Sequence, residues 1–347
     1  MLEGAAFVYD DSVLKYDFGS DHPFKVWRVR LAKDLLSKSF QDLHVVPASP
    51  ASRTDTELFH TPEYLDLVRK FSITGTGLLD GGDTPAFPGC YEASLNVVGA
   101  TLDAVDLVLE GKYAHSANFA GGLHHAGKGN ASGFCILNDC AVAIARLRKA
   151  FRKVAYIDLD AHHGDGVMYG FYSDPGVIDI DVHQDGKTLF PGTGSHLEAG
   201  SGEACGTKLN LPIPPGSADD VLLDLFNEFA LPFLEEAMPE FMIMQCGADG
   251  LRGDPLAGLS FTQYGYVKVI EAVHEISHRI CMGRLVIVGG GGYDPEATAE
   301  CWASEYIAIS GSAQRCRLIP STSPPSVLKR VGSLKAEIRE SHPSFSG

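Results

Sequence analysis

Residues 158–166 read Asp-Leu-Asp-Ala-His-His-Gly-Asp-Gly and directly follow the apolar run Lys-Val-Ala-Tyr-Ile at 153–157. Alternation along a strand places Asp158 and Asp160 on one face, and His162 continues that row as the chain leaves the sheet. Asp160 and His162 then form an oxygen and nitrogen ligand pair that suits Zn²⁺ or Fe²⁺. A solvated loop capping the next helix is the bland alternative, but charge gathered at the end of a buried strand is costly without a metal or partners. A third ligand is expected from another strand end. Asp249, after Phe-Met-Ile-Met-Gln-Cys-Gly-Ala at 241–248, is the best candidate. Asp254 competes, although the Asp254-Pro255 pair reads more simply as a turn.

Two further strand-end segments supply groups for acid–base work. Gly121-Gly122-Leu123-His124-His125 offers adjacent histidines, one of them able to act as a general base. Gly289 to Gly292, followed by Tyr293, offers a hydroxyl after a backbone that can approach a ligand closely. The glycine run alone is weak, and no Lys-Ser/Thr follows to make a phosphate loop. His274-Glu275-Ile276-Ser277-His278 matches the zinc-peptidase pattern HExxH on a helix. Its histidines lie beside the apolar stripe Val269, Val273, Ile276 and Ile280, toward the solvated side, and the match reads as a surface coincidence.

Short β-rich runs at 5–10, 153–160, 176–182, 241–247 and 284–292 must carry these groups, with helical periodicity near 27–38, 94–110, 139–152, 219–237, 262–282 and 296–310. Such alternation predicts a mainly parallel sheet covered by helices on both faces, with sites at the carboxyl ends of the strands. The chain has 347 residues, 45% of them hydrophobic, which excludes intrinsic disorder and allows one large α/β domain. Its net charge of −16 disfavours direct binding to nucleic acid. The last 36 residues are basic and contain Ser and Pro, so residues 1–311 read as the catalytic domain and 312–347 as a tail. There Leu328, Val331, Leu334 and Ile338 have the spacing of a short docked helix, with a mobile tail the competing reading. Eight cysteines without a CxxC pair read as buried reduced thiols, and no secretion signal or membrane-length apolar run is present, so a cytoplasmic protein is expected.

Taken in order, the segments HPFKVWR (22–28), GGDTP (81–85), GGLHHA (121–126), GFCILND (133–139), DLDAHHGDG (158–166), FPGTG (190–194), CGAD (246–249) and GGGGY (289–293) resemble the zinc-dependent histone deacetylase superfamily, including acetoin-utilisation proteins and class I deacetylases. The resemblance runs from about residue 20 to 311 and implies an arginase-like single α/β domain. It implies Zn²⁺, with Fe²⁺ as an alternative in vivo, held by Asp160, His162 and Asp249. His125 is implied as general base with Asp165 as its carboxylate partner, and His124 with Asp158 as the electrostatic partner. Tyr293 is implied as the hydrogen-bond donor to the oxyanion. Phe134 and Phe190 match the facing aromatics of an acyl-lysine channel that opens beside Gly133, Asp83 a rim carboxylate, and Arg28 the buried arginine of an acetate cavity. A structural K⁺ site would use Asp158, Asp160, His162, Asp181 and Val182, where Asp181 replaces a more usual Ser.

The implied activity is hydrolysis of the acetyl amide of Nε-acetyl-lysine in proteins, with an acetylated metabolic enzyme such as acetyl-CoA synthetase, or a chromatin protein, as substrate. Leu256 stands where polyamine deacetylases carry an acidic gatekeeper and so favours acetyl-lysine over acetylpolyamines, the alternative substrate class. A dinuclear manganese ureohydrolase would need further carboxylates than CGADGLRGDP supplies. A catalytically dead acyl-lysine binder would not need the full set of ligands, base and Tyr.

Overall fold

The computed structural model describes residues 4–41, 43–312 and 318–346. Eight strands form one sheet: β1 (Ala5–Val8), β2 (His44–Val46), β3 (His115–Asn118), β4 (Val154–Asp158), β5 (Val177–Gln184), β6 (Lys208–Ile213), β7 (Phe241–Gln245) and β8 (Leu285–Val288). Their spatial order is β2-β1-β3-β8-β7-β4-β5-β6, and every neighbouring pair is parallel. Strands sheathed on both faces have no polar face to show, which is why β7 (Phe-Met-Ile-Met-Gln) and β8 (Leu-Val-Ile-Val) are apolar almost throughout and buried at every position.

Three strands lie outside the five apolar runs seen in the sequence. β2 is a three-residue edge strand, and β6 carries Lys, Asn and Pro among its apolar residues. β3, His-Ser-Ala-Asn, has no apolar run at all. It is held by β1 on one side and β8 on the other, and two of its polar side chains are satisfied by the neighbouring helix: Ser116 Oγ donates to the Ala104 carbonyl at 2.7 Å, and Asn118 Nδ2 donates to Thr101 Oγ1 at 2.8 Å. Tertiary pairing here overrides a weak local preference.

The helical periodicities are realised as Arg28–Ser39, Cys90–Leu109, Asp139–Leu147, Gln263–Ile280 and Pro295–Ile309. The stretch 219–237 forms Asp219–Leu225 and Leu231–Ala237 joined by a π turn. A further helix, Pro62–Thr74, begins with a Thr61 cap and Pro at its first turn and ends at Gly75 with φ +63°.

The terminal segment packs against the domain as the helix Pro325–Ser341. Its buried stripe is Val327, Val331, Leu334 and Ile338, while Leu328 points outward; the stripe starts one residue earlier than the sequence pattern suggested. Burying such side chains contributes roughly 1.5–3 kcal/mol each before ordering costs. The preceding Ser residues cap the helix Asp219–Leu225, Ser323 Oγ accepting from Ala218 N at 2.8 Å and Ser321 Oγ from Asp219 N at 3.2 Å. The basic residues of the segment meet an acidic face: Lys335 lies 2.8 Å from Asp224 and 2.5 Å from Glu228, and Arg339 also pairs with Glu228.

Six of the described cysteines are buried and free, as expected. Cys205 is exposed, contrary to that reading, because it closes a surface turn before β6. Cys316 lies outside the described residues. Among the described residues no helix is long and apolar enough to cross a membrane.

Candidate active site

The sheet order sets β3, β8, β7 and β4 side by side. The loops leaving their carboxyl ends are those that carry His124 and His125, Tyr293, Asp249, and the 158–166 cluster. Four segments scattered over 170 residues of sequence are thereby delivered to one spot.

At its base, Asp160, His162 and Asp249 bring one ligand atom each to within 4.8 Å of one another, all buried. The two carboxylates are oriented by using up their other oxygens. Asp160 Oδ2 accepts from Gln245 Nε2 at 2.8 Å and from Gly291 N at 2.7 Å, which leaves Oδ1 3.1 Å from His162 Nδ1. Asp249 Oδ1 accepts from Ala161 N at 2.7 Å, which leaves Oδ2 2.8 Å from the same nitrogen. Burial and the neighbouring Asp160 carboxylate push the Asp249 carboxyl up to about 8. Two buried carboxylates and one imidazole with no lysine or arginine among them fit a divalent cation of the Zn²⁺ type. Gly291 has to be Gly: a Cβ there would fall 2.0 Å from Asp249 Oδ2 and 2.9 Å from Asp160 Oδ2.

Beside this group, two histidines are fixed in the same way. His124 Nδ1 lies 2.7 Å from Asp158 Oδ2, which also accepts from Tyr156 Oη at 2.7 Å, and His125 Nδ1 lies 2.7 Å from Asp165 Oδ1. Their Nε2 atoms are 3.1 Å apart. A carboxylate at each Nδ1 keeps the proton on that side, so the facing pair of Nε2 atoms makes a hydrogen bond only if one ring carries a second proton. The surroundings choose which. Burial works against charge on His124, but Asp158 and Asp160 outweigh it and lift it to about 10. Burial and the adjacent His124 charge push His125 down, against the pull of Asp165. Both directions favour the second proton on His124, which would leave His125 Nε2 as the acceptor of the pair.

Aromatic rings enclose the opening. Phe190 packs edge-on to His125 at 5.1 Å between centroids, and Phe134 edge-on to Tyr293 at 5.9 Å. Phe134 has φ +67° and Gly133 φ +53°, and Tyr16 Oη clamps this turn by donating to the Phe134 carbonyl at 2.7 Å. Tyr293 is held from its backbone, its N donating to Asp254 Oδ2 at 2.7 Å, and its hydroxyl has no hydrogen-bond partner among the described residues. Asp254 Oδ1 also accepts from Leu256 N at 2.8 Å, so the Asp-Pro turn both forms and aims Tyr293. Leu256 is partly exposed at the edge.

Arg28 is 2% exposed and lies behind the tyrosine loop. Its guanidinium donates to the carbonyls of Gly290, at 2.6 Å, and Gly292, and sits 4.5 Å from the Phe24 ring centroid and 5.0 Å from that of Trp302. Its Nε is buried with no partner. Asp83 is exposed on a loop that Asp80 Oδ1 organises by accepting from the backbone N of 82, 83 and 84, and the Asp83 carbonyl lies 3.1 Å from His22 Nε2. His22 in turn packs on Phe134 at 4.6 Å, which ties this loop to the channel mouth. Asp181 and Val182 lie on β5, apart from the opening. Each oxygen of the Asp181 carboxylate has one protein partner, Oδ2 accepting from Gly164 N at 2.7 Å and Oδ1 lying 2.6 Å from His183 Nδ1.

Sequence reasoning did not single out Gln245, Asn138, Asp139 or Tyr16. Gln245 carried a signal, a lone amide at the end of an apolar strand. Asp139 accepts from the backbone N of Gly122 and Leu123, and Asn138 donates to the carbonyls of His124 and Ala126 at 2.9 Å; together they fix the loop that presents the histidine pair.

A parallel α/β sheet that gathers paired carboxylate-pinned histidines, three buried residues able to hold a metal ion and a tyrosine fits an amide hydrolase of the deacetylase class. The histone deacetylase domain family matches residues 22–309, and the chain belongs to that family. It is 40% identical to the acetoin utilization protein AcuC of Bacillus subtilis over 87% of this chain and 82% of that one. It is 32% identical to the histone deacetylase RPD3 of Saccharomyces cerevisiae over 86% of this chain and 70% of that one. The crystal structure of the HDA15 HD domain superposes with a TM-score of 0.86 at 25% identity, covering 99% of this chain and 96% of that one.

Proposed function

We propose that the protein removes the acetyl group from Nε-acetyl-lysine in proteins, with Zn²⁺ held by Asp160, His162 and Asp249. The observation that carries this reading is the His124–His125 pair, pinned by Asp158 and Asp165, with Nε2 atoms 3.1 Å apart beside a three-ligand metal cluster. When bound, such a cation polarises the acyl carbonyl and acidifies a water molecule. His125 Nε2 takes the proton of the attacking water, and the oxygen adds to the acetyl carbon. Tyr293 Oη donates to the oxyanion that develops on the carbonyl oxygen. The proton then passes from His125 to the amide nitrogen, the C–N bond breaks, and acetate and a lysine amine leave. The imidazolium of His124 keeps positive charge next to the developing negative charge throughout.

Phe134 and Phe190 are suited to sheathe the four methylenes of a lysine side chain. The unpartnered Nε of Arg28, in a box of Phe24 and Trp302, gives the released acetate a cationic place to go. Leu256 at the rim offers no counter-charge to the second amine of an acetylpolyamine. Replacing His125 with Ala, or Tyr293 with Phe, is expected to lower acetate release from acetyl-lysine peptides by at least 10²-fold with the fold intact. Undiminished turnover in either variant, or faster turnover of acetylputrescine than of the peptide, would overturn the mechanism or the substrate class respectively.

A further inference from the structure

At the opposite end of the sheet a second histidine cluster is present. His115 is the first residue of β3, so it sits at the amino-terminal edge, about 10 Å of strand away from the loop that carries His124. Across from it, His274 and His278 occupy positions i and i+4 on one face of the helix Gln263–Ile280. The HExxH segment, read from sequence as two solvated histidines, instead turns both imidazoles toward a buried third.

The three Nε2 atoms form a near-equilateral triangle, with separations of 2.9 Å for His115–His274, 3.1 Å for His115–His278 and 3.1 Å for His274–His278. This arrangement cannot be satisfied by hydrogen bonds. In a neutral imidazole, Nε2 either carries a hydrogen or offers a lone pair. Among three such atoms in mutual contact, at least two are of the same kind and face each other unfavourably. Protonating a ring would put a charge against buried His115 with no carboxylate in hydrogen-bond or ion-pair contact among the described residues, unlike every histidine of the catalytic site. Burial and the neighbouring imidazoles indeed push His115 down to about 3. A cation seated just off the face of the triangle accepts all three lone pairs at once. At the usual 2.0–2.1 Å bond length, the observed edges give nitrogen–metal–nitrogen angles of about 87–102°, those of three ligands on one face of a metal with further positions open.

Local structure makes room for this convergence. Gly283 follows the helix with φ +78°, and a Cβ there would fall 2.8 Å from His278 Cε1 and 3.4 Å from His115 Cε1. His115 Nδ1 is buried without a hydrogen-bond partner, and the Gly283 backbone lies against the same ring. His278 is exposed and His274 half-buried, so the open side of the triangle reaches solvent. Glu275 is exposed and makes no hydrogen bond or ion pair with the cluster among the described residues, and Glu271, the carboxylate whose charge reaches His274, is paired with Lys268.

We propose that His115, His274 and His278 form a second metal site, for a late first-row divalent transition ion such as Zn²⁺ or Ni²⁺, that staples the helix Gln263–Ile280 to the start of β3. An all-imidazole set suits these ions and not Mg²⁺ or Ca²⁺. The site does not depend on the assignment of the catalytic metal.

The test uses the full chain without a polyhistidine tag, stripped with chelator, reloaded with excess Zn²⁺ or Ni²⁺ and desalted. Metal is counted by mass spectrometry, and the thermal midpoint is recorded with and without metal. The exposed position makes His278→Ala a mild change, and His274→Ala is its companion. Wild type is expected to hold one more equivalent than either variant, and the part of its metal-dependent thermal shift that they lack reports the staple. If wild type and both variants hold the same number of ions and shift equally, there is no second site. Wild type with one ion and variants with none would keep this site and remove the catalytic metal instead.

Discussion

Asp254 Oδ2 accepts a 2.7 Å hydrogen bond from the backbone N–H of Tyr293, so a carboxylate in one active-site loop sets the position of the tyrosine in another. Asp254 is nearly buried, and its second oxygen is committed to Leu256 N. Replacing it with Asn puts an amide donor where an acceptor is needed at one of the two places. Because a misplacement of about 1 Å can cost about 10²-fold in rate, Asp254→Asn is expected to lower kcat on an acetyl-lysine peptide by about 10- to 100-fold with a much smaller change in KM. A loss confined to KM would assign Asp254 to substrate binding instead.

Gly133 has φ +53°, and a Cβ on it would fall 2.4 Å from His125 Cδ2 and 2.9 Å from Phe190 Cε1. Both neighbours are ring atoms of the proposed base and channel wall, and neither can move without leaving its place. Gly133→Ala is expected to remove most activity while the far-ultraviolet circular dichroism stays that of wild type. Gly202→Ala, at φ +57° and with open space around it, serves as the matched control for backbone strain and should leave activity unchanged. Equal activity of the two variants would show that this approach is not needed.

The site was legible in the sequence where chemistry sits at the end of an apolar run. Asp160, His162 and Asp249 could be read because an acidic or imidazole group directly after a buried strand has few other uses. The groups that orient them could not, since the N–H of Gly291 and of Ala161 are backbone donors common to any residue. β3 escaped notice because four residues with no apolar period carry no strand signal, although the histidines after it stood out by type. The same short strand hid His115, whose partners lie 159 and 163 residues further on. Only the β3–β8 register brings the strand's first residue beneath the helix that precedes β8. The terminal helix was foreshadowed by its spacing, but a stripe that begins at Val327 or at Leu328 differs by one residue, and only packing decides between them.

Asp83 offers a separable test of substrate binding. Burial, and then the nearby Asp80 carboxylate, push it up to about 6. If Asp83 is the rim acceptor for a substrate backbone that the family resemblance implies, it would accept best when ionised, that is, above that value. The KM of wild type for an acetyl-lysine peptide is therefore expected to rise as pH falls from 7 to 5. In Asp83→Asn the KM should be higher at pH 7 and depend less on pH. Steady-state kinetics of the two proteins over this range measure it, and parallel KM profiles would exclude Asp83 from the rim contact.

Glu305 should leave a mark on stability instead of on catalysis. It is fully buried on the helix Pro295–Ile309, with Oε1 3.4 Å from Cys301 Sγ and Oε2 without a partner, and Cys246 and Tyr266 are the other polar groups facing it. Burial raises its carboxyl to about 8, only partly offset by the Cys301 thiol. The folded chain therefore keeps this proton up to about pH 8, whereas the unfolded chain loses it near its ordinary value of about 4.3. Between these limits the folded state binds more protons than the unfolded state, so this group's contribution is complete at low pH and is lost as pH rises. The slope is at most about 1.4 kcal/mol per pH unit. Glu305→Gln keeps the shape and removes the titration. Urea unfolding at pH 5 and pH 8 is expected to place the variant near wild type at pH 5 and above it at pH 8. A stability difference that does not change with pH would mean that Glu305 is already ionised in the folded core, with a counter-charge or solvent access that its surroundings do not provide.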